Sequence, residues 1–193
     1  YLDIFYHICI LIKNLFALTI VYTWQSMLQL TIRTQVSIIR LGGMLMKNYA
    51  TSDIRNVAIV GHGSEGKTTL TEAMLYNAKA TDRFGRVDDG TTTTDSDSEE
   101  IKRHISISAA LAPLEWNNHK INIIDVPGYF DFIGEMLQAF KVVDSAVIVV
   151  GATSGVAVGT EKAWDYCEKY DIPKLVFINQ MDKEHANFMK VID

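Results

Sequence analysis

Hydrophobic and polar positions alternate along this chain in two different periods. Asn56-Val57-Ala58-Ile59-Val60 is short and β-branched, as a strand buried on both faces should be, and a first strand is predicted over 57–60. Behind it, Leu70, Ala73, Met74 and Ala78 recur at helical spacing and predict a helix over 67–78. Segments 105–116 and 120–124 are predicted as a hairpin turning at Asn117-Asn118, residues that tolerate the positive φ of a tight connection. A helix is expected over 132–141, a strand over 146–150, a helix over 158–170 and a strand over 174–178. The intervening 81–103 is expected as a loop, with Thr91–Thr94 flexible and solvated. Strands alternating with helices predict an α/β fold with a doubly wound, mostly parallel sheet. Its ligand edge should lie at the strands' C-terminal ends.

Composition divides the chain. With 193 residues, 48% of them hydrophobic and 21% charged, there is enough for one complete core and not two. Residues 1–45 carry only Asp3, Lys13, Arg33 and Arg40 as charged side chains. These four give 1–45 a net +2, so with an overall net charge of −5 the remainder carries −7, which argues against a broad nucleic-acid face and against direct DNA binding. Three readings of residues 1–45 stand side by side. The apolar run 4–24 suggests a membrane anchor, but Lys13 at its centre costs about 2.5–3.5 kcal/mol. A signal peptide would need a basic start and a small-residue cleavage site, and neither is present. The third reading is that 1–45 is not native coding sequence. Arg40-Leu41-Gly42-Gly43 precedes Met44 and Met46, and Leu-Gly-Gly is what a purine-rich ribosome-binding sequence spells in frame. Translation would then begin at Met46, leaving 46–193 as the domain and a membrane role unlikely. Cys9 and Cys167 have no metal-ligand spacing. Cys167 shares a helical stripe with Thr160, Ala163 and Trp164 and is expected as a buried thiol in a reducing cytosol.

Three motifs carry the chemistry. Gly61-His62-Gly63-Ser64-Glu65-Gly66-Lys67-Thr68 matches the phosphate-binding pattern between a strand and a helix. Backbone N–H groups and the helix dipole favour anions there, Lys67 would reach terminal phosphates, and the Thr68 hydroxyl would ligate Mg²⁺. Asp125-Val126-Pro127-Gly128 ends the strand Ile121-Asn122-Ile123-Ile124. Its carboxylate is placed to hold Mg²⁺ through water, and Gly128 leaves an N–H free to approach a γ-phosphate. Asn179-Gln180-Met181-Asp182 follows the last strand. Asp182 would accept from guanine N1 and its exocyclic amine, a donor pair that adenine lacks. The three motifs, in order and each after its own strand, read as a GTP-binding domain.

Over nearly all of residues 50–193 the chain resembles the translational GTPases, elongation factor G and its paralogues among them. The residues that carry the likeness are Gly61-His62, Lys67-Thr68-Thr69-Leu70, Asp95, Glu100, Arg103, Ile105-Ser106-Ile107, the stretch 121–128 with Asp131-Phe132, Phe177-Ile178-Asn179-Gln180-Met181-Asp182 and Ala186-Asn187-Phe188. The resemblance implies a P-loop NTPase of the Ras-like type, a cytoplasmic protein that binds GTP or GDP with Mg²⁺ and hydrolyses GTP on the ribosome. It implies that Ser106 stands at the family's Mg²⁺-binding Thr. It also implies that another strand and helix should follow Asp193, so that the sheet would expose an edge without them. The chain departs from the family at Tyr129, where the family has a water-positioning His; a phenol with pKa near ~10 orients water but does not ionise near neutrality. Gln180 replaces a Lys, Ser64 an Asp and His104 a Gly. Two functions therefore stay open: a hydrolysing translation factor, or a nucleotide-gated ribosome-binding module with slow hydrolysis.

Overall fold

A computed structural model describes residues 39–41 and 44–192. The chain divides into two compact units, Tyr1–Asn48 and Tyr49–Asp193. In the first, β1 (Ile39–Leu41) pairs antiparallel with β2 (Met44–Met46). The anchor reading of 4–24 and Cys9 lie outside the described residues. Among the described residues, no helix is long and apolar enough to cross a membrane.

The second unit is built on β3 (Ile54–Gly61), the strand before the phosphate-loop motif. It is followed by α1 (Lys67–Asn77), α2 (Ser98–Arg103), β4 (Ala110–Trp116) and β5 (His119–Asp125). Then come α3 (Ile133–Ala139), β6 (Ser145–Gly151), α4 (Val158–Lys169), β7 (Lys174–Asn179) and α5 (Phe188–Ile192). The sheet order is β4-β5-β3-β6-β7, with β4 antiparallel to β5 and the other pairs parallel. This is the mixed, doubly wound α/β architecture that the alternating pattern predicts.

Side-chain alternation puts the two faces of β3 into two halves of the core. Ala58 and Val60 join Val126, Ile148, Ala163 and Cys167 in one cluster, against α4. Val57 and Ile59 are buried too, on the face that α1 covers. Burying a side chain the size of Ile59 contributes about 2 kcal/mol, so this central strand is a firm base for the loop that leaves it. The outer strands differ. Pro113 sits in edge strand β4, where its missing N–H discourages further pairing. On the other edge, β7 is only half-buried and Val176 is exposed.

Several boundaries move from the sequence reading. The predicted loop 81–103 contains α2, which a capping box starts. The Asp97 carboxylate accepts from the Glu99 N–H at 2.8 Å, and the Glu100 carboxylate accepts from the Asp97 N–H at 3.1 Å. The strand predicted from 105 starts only at Ala110, because side chains take the preceding donors. Glu100 accepts from Ile107 and Ser108 N–H (2.9 and 3.1 Å), and Glu135 from Ala109 N–H (2.9 Å). Thr91–Thr94 is a loop but only partly solvated: Thr93 is exposed while Thr94 is 6% exposed, and the Thr93 N–H donates to Glu72 at 2.5 Å. The Asn117-Asn118 turn does have both residues at positive φ, 47° and 64°. On α4, Thr160, Ala163 and Cys167 are buried, but Trp164 is exposed and lies under Lys174 Nζ at 4.3 Å. Burial pushes the Cys167 thiol up to about 11, which keeps it unreactive.

Candidate functional site

Register brings the three motifs to one edge of the sheet. Asp125 pairs with Ile59, Val149 with Gly61, and Asn179 with Gly151, so the C-terminal ends of β5, β3, β6 and β7 are neighbours. The loop 61–66 leaves the central strand there and enters α1 directly. Gly66, the N-cap, has φ 86° and no side-chain cap, so no side chain occupies the first N–H groups of the helix. A Cβ at Gly66 would also collide with the Asn179 amide; glycine is required on both counts.

Lys67 is 7% exposed and donates from Nζ to the His62 carbonyl at 2.6 Å. A Cβ at Gly128 would strike that same ammonium group, so the Asp125–Gly128 turn closes directly over the lysine. Burial pushes Lys67 down to about 8, while the carboxylates of Asp125, Glu65 and Asp95 pull it back. Phosphate oxygens placed beside it would supply the missing counter-charge.

Next to Lys67 lies a ring of oxygen donors. Thr68 Oγ1 and Ser106 Oγ are 3.2 Å apart. The Thr68 hydroxyl favours the charged form of the Asp125 carboxylate, and the Ser106 hydroxyl that of Asp95. Thr94 Oγ1 donates to Asp125 Oδ2 at 3.0 Å. Asp125 is 1% exposed, and its Oδ1 has no hydrogen-bond partner among the described residues. Burial raises it to about 6, against the pull of the Thr68 and Thr94 hydroxyls and of Lys67; burial likewise raises Asp95. Val126 and Pro127 are buried behind this turn.

The residues of the third motif serve the phosphate loop as well as the site. Asn179 Nδ2 donates to the Glu65 carbonyl at 2.8 Å, and Gln180 Nε2 to the Ser64 carbonyl at 2.9 Å. Met181 is 48% exposed, and Asp182 is exposed beside it. Glu65 is buried and accepts from the Ser154 hydroxyl at 2.8 Å. Thr69 is exposed on α1. Tyr129 lies across the loop, its hydroxyl 3.3 Å from Ser64 Oγ and its ring where a Cβ on Gly63 would meet it at 2.9 Å. Motif reading passed over two residues that the structure brings in, Thr94 and Glu72. Both act through contacts distant in sequence, which no local pattern announces.

A phosphate-binding loop entering a helix, with a buried carboxylate and hydroxyls beside its lysine and a carboxylate-bearing loop on the next strand but one, defines a nucleotide-binding α/β domain. Comparison with known proteins narrows this. Residues 52–193 match the family model described as the elongation factor Tu GTP binding domain, and the chain belongs to that family, which binds guanine nucleotide. It is 42% identical over 147 residues to the mitochondrial ribosome-releasing factor 2 of Candida dubliniensis, covering 76% of this chain and 18% of that protein. It is 41% identical over 140 residues to elongation factor G 2 of Borreliella afzelii, covering 72% and 21%. A solved protein of Thermus thermophilus superposes with a TM-score of 0.70 at 42% identity, over 73% of this chain and 21% of that one. The chain thus spans about a fifth of the length of these relatives.

Proposed function

We propose that the intact protein is a ribosome-stimulated GTPase of translation, of the kind to which elongation factor G and ribosome-releasing factor 2 belong, with this domain as its nucleotide switch. The observation that supports this best is the meeting of Lys67, Thr68, Ser106 and Asp125 beside an uncapped helix N-terminus. In this reading residues 61–69 wrap the phosphates, and Lys67 faces the terminal ones. Asn179 and Gln180 hold the loop, Met181 flanks the base, and Asp182 selects guanine. The residues present suit Mg²⁺: hard oxygen donors, and a buried carboxylate oxygen left unpaired. Thr68 and Ser106 would ligate the ion directly and Asp125 through water. A magnesium ion draws charge from the phosphates, which is most of what phosphoryl transfer requires. Few protein ligands are needed, since phosphate and water complete its shell; among the described residues no cluster of three His, Cys, Asp or Glu side chains is present to hold a metal.

Tyr129 favours a second reading, in which the domain gates ribosome binding and hydrolyses slowly. Its phenol lies against Gly63 and Ser64, and at the place of the family's His it would orient a water by hydrogen bonding alone. Phosphate release from the intact protein, with and without ribosomes, separates the two. Stimulation by ribosomes supports the GTPase, and nucleotide-dependent ribosome binding without turnover supports the gate. Tyr129→His is expected to raise the ribosome-stimulated rate severalfold, and a flat or lower rate would assign the phenol to packing.

A further inference from the structure

The ring of oxygen donors closes through a residue that the nucleotide reading leaves unused. Thr94 is buried, and its hydroxyl donates to Asp125 Oδ2 at 3.0 Å. Asp125 Oδ1, on the same carboxylate, is buried with no hydrogen-bond partner among the described residues. A carboxylate with one oxygen tied and the other bare cannot rotate freely about its last bond without breaking the tie.

Thr94 is itself held. Glu72, on α1, is 1% exposed. Its Oε1 accepts from the Thr93 N–H at 2.5 Å and its Oε2 from the Gly85 N–H at 3.1 Å. Two backbone donors on one buried carboxylate fix the chain at the two ends of 85–93, and one of them is the N–H of Thr93, the residue immediately before Thr94. The path therefore runs from the helix that starts at the phosphate loop, through Glu72 and Thr93, to the hydroxyl on Asp125.

From this geometry we infer that Thr94 is a positioning residue for the divalent cation: it sets the Asp125 carboxylate so that Oδ1 faces the ion's water, with Glu72 as its brace. The inference deepens the Mg²⁺·nucleotide reading and rests on it. Groups that orient a direct metal ligand are worth about 10–100-fold in metal affinity; since Asp125 reaches the ion through water, the lower end of that range applies to Thr94. Their loss should appear in the response to Mg²⁺ and leave the phosphate cradle alone, because the Thr94 hydroxyl is turned to Asp125 and not to Lys67.

The test follows release of a fluorescent GDP from the intact protein across graded free Mg²⁺, and again in chelator. Thr94→Val keeps the shape and removes the donor; the Mg²⁺ concentration that halves the release rate should rise about tenfold or more. GDP affinity in chelator should stay at the wild-type value, which also reports that the variant is folded. Thr94→Ser, which keeps the hydroxyl, should return the Mg²⁺ midpoint to within about twofold of wild type. Glu72→Leu should shift it in the same direction as Thr94→Val. An unchanged midpoint in Thr94→Val overturns the role, as does a Thr94→Ser protein no better than the valine one. A loss of GDP affinity in chelator overturns it too, since the residue would then serve the cradle. Wild-type protein that holds GDP with no response to Mg²⁺ fails differently, because it removes the metal reading of the whole site.

Discussion

The phosphate end and the base end of this site are built on opposite terms. Lys67, Thr68 and Asp125 are buried on or beside the two innermost strands, and the charges on Lys67 and Asp125 are strained by burial before any ligand arrives. The residues proposed for the base stand on edge strand β7 and the loop after it. Two of them, Asn179 and Gln180, spend their amides on holding the phosphate loop, while Met181 and Asp182 face solvent. The contrast teaches that affinity and selectivity are separately placed. In the proposed reading, affinity for phosphate would be stored in a preformed, desolvated cradle, whereas the choice of guanine would rest on one exposed carboxylate.

The contrast breaks most simply at Lys67. Lys67→Ala removes the buried cation and should lower triphosphate affinity by more than about 100-fold, read by titration with a fluorescent GTP; retention of affinity would show that the cradle binds through its backbone alone. At the other end, Asp182→Asn should weaken GTP by roughly 10- to 100-fold. It should also admit xanthosine triphosphate, whose 2-carbonyl oxygen accepts from the new amide. Competition among GTP, ATP and the xanthine nucleotide reads this, and unchanged selectivity would move base recognition elsewhere.

A sharper version uses stability without ligand. Folding moves Asp125 from the ordinary carboxylate value of about 3.9 up to about 6. The unfolded chain therefore releases this proton first as pH rises. The destabilisation is absent at low pH, grows through the window up to about 6 and is complete above it. Asp125→Asn removes the charge but leaves an amide donor without an acceptor. It should stabilise the ligand-free protein by about 1–2 kcal/mol above pH 6, with the gain vanishing toward pH 4 in urea titrations. A gain independent of pH would mean the carboxylate is not strained. The smallest expected effect joins the two ends: Asn179→Ala frees the Glu65 carbonyl and should weaken GTP and GDP alike by about threefold to tenfold. Isothermal titration with both nucleotides checks it, and a loss specific to one would break the coupling.

Much of this was legible in the chain. The β-branched runs at 57–60 and 146–150 became β3 and β6 because their burial demanded apolar residues on both faces, and the apolar run 174–178 became the half-buried edge strand β7. The glycines and hydroxyls of 61–68 lie where the strand–loop–helix order puts them. The capping box Asp97-Ser98-Glu99-Glu100 was readable too, and it starts the helix inside the supposed loop. The rest was not readable. Thr94 looked like one of four solvated threonines until Glu72, 21 positions away from its neighbour Thr93, took that peptide's N–H. Ile105–Ala109 had the composition of a strand, but Glu100 and Glu135 claimed its donors. Trp164 kept helical spacing with buried residues yet turned outward to Lys174. In each case a side chain distant in sequence decided the outcome.

Gly63 and Tyr129 occupy a single space, and that makes the order of amino-acid changes matter. The phenol lies so close to Gly63 that even a methyl group there would sit 2.9 Å from the ring, so the exposed ring would have to move aside. A lineage that fills 63 first must displace the ring, whereas one that shrinks residue 129 first meets no such contact. The two positions are therefore coupled, and the effect of a side chain at 63 depends on residue 129. Gly63→Ala should harm a protein that keeps Tyr129 and be tolerated once Tyr129→His is in place, a non-additivity that a four-member mutant cycle would measure directly.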